Sequence, residues 1–216
     1  MISDFRNRHH GETCIIIGNG PSLRYVPRSF IEAFITFGQN KCYLNAPPLV
    51  NFTPNYYVTS DPDNDIDRSI VDKMPCVKFT KEGSGFINTH EFRLTREHIF
   101  SKHPDIVLYE GYSVTYISLQ LAYYMGFTTV LLIGVDHRYK PYDASTEHDP
   151  NHYTRKYKGK TDFDPEALAK GELYIAEAML LAKTTYENDG RRIINLTQGS
   201  NLKVFQIDNI NNWIYA

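Results

Sequence analysis

The chain has 216 residues, of which 42% are apolar, so it is long enough to bury the core of one α/β domain. Its formal net charge is −2, from 23 basic and 25 acidic residues without a basic block, and this excludes a footprint for long nucleic acid. The longest apolar run, residues 130–135, is too short to cross a bilayer. Residues 1–6 contain no apolar segment of the kind that a secretory signal needs.

The cysteines are odd in number and widely spaced, at Cys14, Cys42 and Cys76. This pattern favours free thiols in a reducing compartment over a disulfide framework. We therefore expect a cytoplasmic protein. If its substrate is linked to a lipid, we expect the protein to work at the inner face of the membrane.

The first half of the chain begins with a continuous apolar run over residues 14–17, which is typical of a strand buried on both faces. A short helix is predicted over 29–37, in competition with a strand over 35–37. A further strand over 56–59 ends at the polar cluster 60–63, which predicts a turn or the start of a helix.

The second half alternates strands with longer helices. The pattern predicts a helix from Ser113 to Met125, with Ser113 as its N-cap and Gly126 just past its end. Proline suits the first turn of a second helix over 165–188, which ends before Gly190. Strands are predicted over residues 77–79, 106–109, 129–133 and 191–196.

Strands that alternate with helices in this way indicate a single Rossmann-like domain over residues 1–216. We expect a doubly wound, mainly parallel sheet with helices on both of its faces.

The loop Gly18-Asn19-Gly20-Pro21-Ser22-Leu23 follows the first strand directly. Ligands of open α/β sheets lie beyond the carboxyl ends of the strands, where glycine lets backbone N–H groups approach a phosphate. The loop lacks the residues of a Walker motif and of a complete GxGxxG motif. It predicts a nucleotide phosphate site, with a tight turn that binds no ligand as the alternative.

Polar residues follow other predicted strands. Asp136 comes after the strand over 129–133, where a carboxylate could accept hydrogen bonds from sugar hydroxyls, hold a metal ion or cap the next loop. Asn40 and Asp61 follow earlier strands and are binding candidates, with turn or capping roles as the alternatives.

The polar loop over residues 137–160 is long for a compact domain, and long loops often form lids or binding elements. Histidine suits general base catalysis near neutral pH, and tyrosine hydroxyls can stabilise a leaving phosphate. A zinc site over 147–152 is an alternative, although Pro150 argues against the helix that such a site uses. The candidates in this loop are His137, Tyr139, Tyr142, His148, His152 and Tyr153.

Four segments together resemble two related protein families. Residues 17–23, 131–136 and 149–153 resemble the bacterial sialyltransferases that modify lipooligosaccharide. Residues 17–23, 131–136 and 190–197 resemble the MptE-like family, and Asn40 follows the second strand as in both groups. The resemblance spans residues 10–207, whereas residues 112–115 depart from the Ser/Thr-Gly region of the sialyltransferases.

The resemblance implies a transferase that uses a CMP-sugar donor and inverts the anomeric centre. It implies that Asn19, Asn40 and Asp61 line the nucleotide pocket, and Ser113 is added as a candidate there. Catalytic roles are implied for three residues of the long loop. Tyr139 and Tyr142 would face the phosphate, and His152 would be the base, with His148 as the fallback.

The expected activity is transfer of a sugar, such as a sialic-acid-type sugar, to a surface glycan or lipid-linked glycan, with no metal or other cofactor required. The first alternative is an MptE-like diphosphokinase that uses ATP and Mg²⁺ on a pterin alcohol, with Asp61, Asp63 and Asp65 as metal ligands. The second is a non-catalytic protein that binds nucleotide sugars. A homo-oligomer is possible for a small α/β enzyme, but no sequence patch identifies an interface.

Overall fold

A computed structural model describes residues 1–60, 66–140, 149–157 and 165–214. The main sheet has eight strands in the order β10-β9-β8-β1-β2-β3-β4-β5, and its described pairings are all parallel. Its strands are β1 Thr13–Ile17, β2 Ile35–Gln39, β3 Tyr56–Thr59, β4 Val77–Lys81, β5 His90–Phe92, β8 Thr129–Ile133, β9 Arg192–Asn195 and β10 Gln206–Ile207.

Two short strands, β6 Leu94–Thr95 and β7 Leu108–Tyr109, pair with each other outside the main sheet. The helices are α1 Arg28–Glu32, α2 Arg68–Val71, α3 Val114–Tyr124 and α4 Pro165–Asn188. Three 3-10 helices span Ile2–Phe5, Pro21–Tyr25 and Ile210–Trp213.

Strand β1 shows why the sheet is covered on both faces. Its side chains alternate, so that Cys14 and Ile16 join one core and Ile15 and Ile17 the other, and all four are fully buried. The first core includes residues of α3 and α4, and the second includes residues of α1 and α2. The predicted doubly wound fold with helices on both faces is confirmed.

The strand order reverses between β1 and β8, which lie side by side although more than a hundred residues separate them. Strands β2 to β5 extend from one side of β1, and β8 to β10 from the other. Such a switch point leaves a crevice at the carboxyl ends of the strands.

Several local predictions are confirmed. Helix α4 spans the predicted residues 165–188, and the Ser113 hydroxyl caps α3 by accepting a hydrogen bond from the Thr115 amide at 3.2 Å. Gly126 follows α3 with a φ of +93°. The predicted strands over 14–17, 56–59 and 129–133 correspond to β1, β3 and β8.

Two predictions were wrong. The helix over 29–37 ends at Glu32, because Ile35 and Phe37 belong to β2 and Phe37 is buried in the core. The strand over 106–109 shortens to β7, since Ile106 is 66% exposed, and it lies outside the main sheet. Strands β5, β6 and β10 and helix α2 have two to four residues each, which is too short for a periodic pattern.

Within the described residues, no helix combines the length and apolarity that a membrane crossing requires.

Candidate functional site

A cleft of about 670 Å³ opens at the carboxyl ends of β1, β2 and β8. It therefore lies at the topological switch point, where ligands of open α/β sheets bind. The N-terminus of α3 forms a second side of the cleft, and the segment after β8 forms a third. The sequence candidates among its lining residues are Gly18, Asn19, Gly20, Asn40, Ser113, Asp136, His137, Tyr139 and His152.

Two backbone donors of the glycine loop already have partners at the end of β8. The Gly18 amide donates to the Ile133 carbonyl and the Gly20 amide to the Gly134 carbonyl, both at 2.8 Å. Pro21 has no N–H, and it begins the 3-10 helix that follows. These hydrogen bonds join the loop to the end of β8, and they occupy the two glycine amides that were expected to approach a phosphate.

The side chain of Asp136 lies against the start of that 3-10 helix. Its carboxylate accepts hydrogen bonds from the Ser22 amide at 3.2 Å and from the Ser22 hydroxyl at 2.6 Å. A Cβ on Gly20 would lie 2.0 Å from Asp136 Oδ2, so glycine is required for this close approach. Among the described residues, the Asp136 side chain caps the loop after β1 rather than the loop that follows it in sequence.

Asn19 and Gln39 connect the glycine loop to α3. The Asn19 side chain donates to the Gln39 carbonyl at 3.0 Å, and its own Oδ1 is buried with no hydrogen-bond partner among the described residues. The buried Gln39 side chain donates to Ser118 Oγ at 2.9 Å and accepts from Thr115 Oγ1 at 3.0 Å. Gln39 thus fixes the first turn of α3 against β2.

Asn40 lies at the rim of the cleft directly after β2. Its φ is +44°, a left-handed conformation that asparagine tolerates better than most residues. Its side-chain oxygen accepts a hydrogen bond from Thr59 Oγ1 at 3.0 Å, and its carbonyl accepts one from the Tyr57 hydroxyl at 2.8 Å. These contacts hold Asn40 by the ends of both β2 and β3.

His152 lies in the cleft beside a buried carboxylate. Its Nδ1 is 2.6 Å from Oδ2 of Asp149, whose side chain is only 2% exposed. The imidazole also stacks on the ring of Tyr157 at 3.6 Å, with 7° between the planes. Nε2 makes no hydrogen bond within the described part of the chain. A histidine oriented in this way can accept or donate a proton at Nε2.

The segment that carries His152 is bound to the glycine loop through its backbone. Arg24 donates to the carbonyls of His152 at 3.0 Å and Tyr153 at 2.6 Å. The Tyr153 amide donates to the Asn19 carbonyl at 2.8 Å, and the Tyr153 hydroxyl donates to the Cys42 carbonyl at 3.3 Å. The position of His152 therefore depends on residues far away in sequence.

Tyr139 and His137 line the side of the cleft after β8. The Tyr139 side chain is 41% exposed, and its amide donates to Oε1 of Glu172 on α4 at 3.4 Å. Burial lowers the pKa of His137, and the nearby Glu172 carboxylate opposes this shift. His137 is therefore mainly neutral near pH 7.

The structure brings most of the predicted residues to one cleft, but five of them lie outside the described residues: Asp61, Asp63, Asp65, Tyr142 and His148. The side chains of Pro21 and Ser22 shape the loop rather than line the cleft.

Sequence reasoning missed four residues that position others. Arg24 and Gln39 carry no local signal, whereas the Asp149-x-x-His152 spacing could have indicated a pair. Tyr157 stacks on His152 and was also missed.

No group of three His, Cys, Asp or Glu side chains within the described ranges could hold a metal ion. Comparisons of the chain with protein-family models, with curated proteins and with solved structures find no match.

Proposed function

We propose that the protein is a glycosyltransferase that uses a nucleotide-sugar donor and inverts the anomeric centre. The observation that carries this proposal is the His152–Asp149 pair, whose Nδ1–Oδ2 distance is 2.6 Å, in a cleft at the switch point of a parallel sheet. A carboxylate on Nδ1 keeps the proton there, so that Nε2 can act as a base.

In this mechanism Nε2 of His152 removes the proton from an acceptor hydroxyl. The acceptor oxygen attacks the anomeric carbon opposite the nucleotide phosphate, and the bond from that carbon to the phosphate oxygen breaks. The electron pair leaves with the nucleotide monophosphate, and the proton stays on His152 until solvent takes it. The buried Asp149 carboxylate stabilises the imidazolium that forms.

Binding of the donor is assigned to the side of the cleft formed by Asn19, Asn40 and Ser113. Since the Gly18 and Gly20 amides are already bonded, these glycines would shape the floor of the cleft rather than bind phosphate. The phosphate charge would be stabilised by the Tyr139 hydroxyl and by the positive end of α3. We favour CMP as the leaving group because residues 149–153 resemble the sialyltransferase loop.

The first test is a thermal-shift screen with cytidine, uridine, guanosine and adenosine nucleotides, each with and without Mg²⁺. A ligand that binds the native state raises the melting temperature by mass action. Stabilisation by CMP without Mg²⁺ is the expected result. Stabilisation by ATP only in the presence of Mg²⁺ would favour the diphosphokinase, and silence for every nucleotide would reject the proposal.

The second test separates catalysis from binding. With a donor found by the screen, His152→Ala should lower turnover by about 10²–10⁴-fold, and Asp149→Asn should also lower turnover. The nucleotide affinity of both variants should stay near that of the wild type. The matched control is His103→Ala, because His103 pairs with Asp105 at 3.9 Å on the surface. Turnover of His152→Ala equal to that of the control would reject His152 as the base. If neither the wild type nor any variant turns over while nucleotide binding is intact, the protein is the non-catalytic nucleotide-sugar binder.

A further inference from the structure

The turn before α3 has an unusual backbone. Gly111 and Tyr112 are consecutive residues with φ values of +57° and +54°. Glycine is required at position 111, since a Cβ there would lie 2.3 Å from the Tyr116 ring. Tyr112 has no such steric reason, and a bulky residue in the left-handed region is strained. A strained residue of this kind directs attention to what its side chain does.

The Tyr112 ring forms a platform at the rim of the cleft. It stacks on the ring of Tyr174 from α4, with centroids 4.8 Å apart and 23° between the planes. Tyr112 lines the cleft and is still 51% exposed, because Tyr174 covers only one face of its ring. We call these two rings the tyrosine platform. It presents a flat, apolar surface with a fixed orientation.

Charged and polar groups surround the tyrosine platform. Glu110 lines the same cleft, and its carboxylate lies 3.7 Å from the exposed guanidinium of Arg96. Burial raises the pKa of Tyr109, and Tyr112, Glu110 and Glu177 raise it further. The Tyr109 hydroxyl itself is buried without a hydrogen-bond partner among the described residues.

We propose that the tyrosine platform is the acceptor subsite and binds a pyranose ring of a neutral glycan. The electron-rich face of a tyrosine attracts the weakly positive C–H groups on one side of a sugar ring. Glu110 can accept hydrogen bonds from sugar hydroxyls, and Arg96 can donate to them. This assignment rests on the proposed function, since it names the substrate that receives the sugar.

The charged groups beside the platform favour a neutral ligand. The Glu110 carboxylate already faces the Arg96 guanidinium at 3.7 Å, so neither of these groups requires a charged ligand. Tyr112 directly precedes Ser113, so the platform adjoins the end of α3 that is assigned to the donor phosphate. An acceptor ring on the platform would therefore lie next to the donor.

The test is saturation-transfer NMR with the methyl glycosides of glucose, galactose, mannose and N-acetylglucosamine, which needs neither a donor nor turnover. The wild-type protein should transfer saturation to the C–H face of at least one sugar. Tyr112→Gly should reduce that transfer at least fivefold, and Tyr112→Phe should retain it. Glycine suits the left-handed backbone, so this variant is expected to fold. Tyr25→Ala is the matched control, because Tyr25 is 85% exposed and does not line the cleft.

Absence of saturation transfer to every sugar tested, or equal saturation transfer with wild type and Tyr112→Gly, would overturn the assignment. So would a loss of nucleotide stabilisation in Tyr112→Gly, since the ring would then hold the base. Failure of the proposed function would look different. If saturation transfer to a sugar depends on Tyr112 but no nucleotide stabilises the protein, the sugar subsite is supported and the transferase is rejected.

Discussion

At the scale of single residues, the floor of the cleft depends on Asp136. Its carboxylate occupies the first turn after the glycine loop, where a bound anion would otherwise be expected. The sequence predicted that Asp136 lies at the same sheet edge as the loop. It did not predict their direct contact, because this needs the pairing of β1 with β8.

We predict that Gly20→Ala destabilises the protein by about 1–3 kcal/mol, because the new Cβ would lie 2.0 Å from Asp136 Oδ2. Urea denaturation measures the effect. The Asp136→Ala background removes the clash with the carboxylate but keeps the 2.7 Å approach to the Gly134 carbonyl, so Gly20→Ala should cost less there, though not nothing. Gly171→Ala is the control: no atom lies within 4 Å of its Cβ, and alanine should stabilise α4 by about 0.5–1 kcal/mol. Equal costs of Gly20→Ala in both backgrounds would contradict the contact.

Two histidine–carboxylate pairs in this chain show how burial determines what a side chain can do. His103 and Asp105 are 3.9 Å apart on the surface, where water and salt weaken the interaction. His152 and Asp149 are 2.6 Å apart, and the Asp149 side chain is nearly inaccessible to solvent. The sequence suggested His152 as a candidate. Its partner depends on how residues 149–157 fold back on the glycine loop.

At the scale of elements, α3 contributes its N-terminus to the cleft and its apolar surface to the core. Ser113 caps the first turn, and Gln39 binds Thr115 and Ser118 from the end of β2. The cap was predictable from local sequence, since serine before an apolar stretch is a common helix start. The Gln39 bridge was not, because the two elements are far apart in the chain.

We predict that Ser113→Ala destabilises the protein by about 1 kcal/mol through loss of the cap, and that Ser113→Asp restores this stability. The two variants should separate stability from binding. If α3 faces a phosphate, the aspartate should weaken CMP binding more than alanine does, because it adds negative charge beside the ligand. Thermal unfolding and calorimetry measure the two quantities. Tighter CMP binding by Ser113→Asp than by Ser113→Ala would exclude a phosphate at this helix end.

The length of an element determined how well it could be predicted. Helices α3 and α4 and strand β8 have enough residues for periodicity and end signals to agree. At residues 29–37, helix and strand patterns overlapped, and burial of Phe37 in the sheet decided between them. For the two-residue strands, pairing partners alone determine the structure.

At the scale of the whole molecule, one sheet separates two cores, and a free thiol lies in each. Cys14 and Cys42 are buried, which raises the pKa of both thiols. Cys76 is partly exposed, and burial raises its pKa from the usual 9.0 to about 11, although Lys78 opposes the shift. A raised pKa leaves less thiolate at a given pH, and thiolate is the reactive species.

We predict that iodoacetamide at pH 8 labels Cys76 of the native protein about a hundredfold more slowly than an ordinary thiol. In urea all three cysteines should react at the rate of free cysteine, so labelling should follow global unfolding. Mass spectrometry of quenched samples gives the rate for each site. Native labelling of Cys76 at the rate of free cysteine would contradict the raised pKa of this thiol.

The sequence by itself determined the fold class, the longest elements and the candidate residues, because these follow from local composition, periodicity and end signals. Tertiary structure alone decided which of those residues meet. It paired β1 with β8, brought Asp136 to Ser22 and Asp149 to His152, and stacked Tyr112 on Tyr174. Asp136 and Ser22, like Tyr112 and Tyr174, are far apart in sequence. His152 and Asp149 are close in sequence, but their segment is held on the glycine loop. Such contacts depend on sheet order and burial, which no short stretch of sequence encodes.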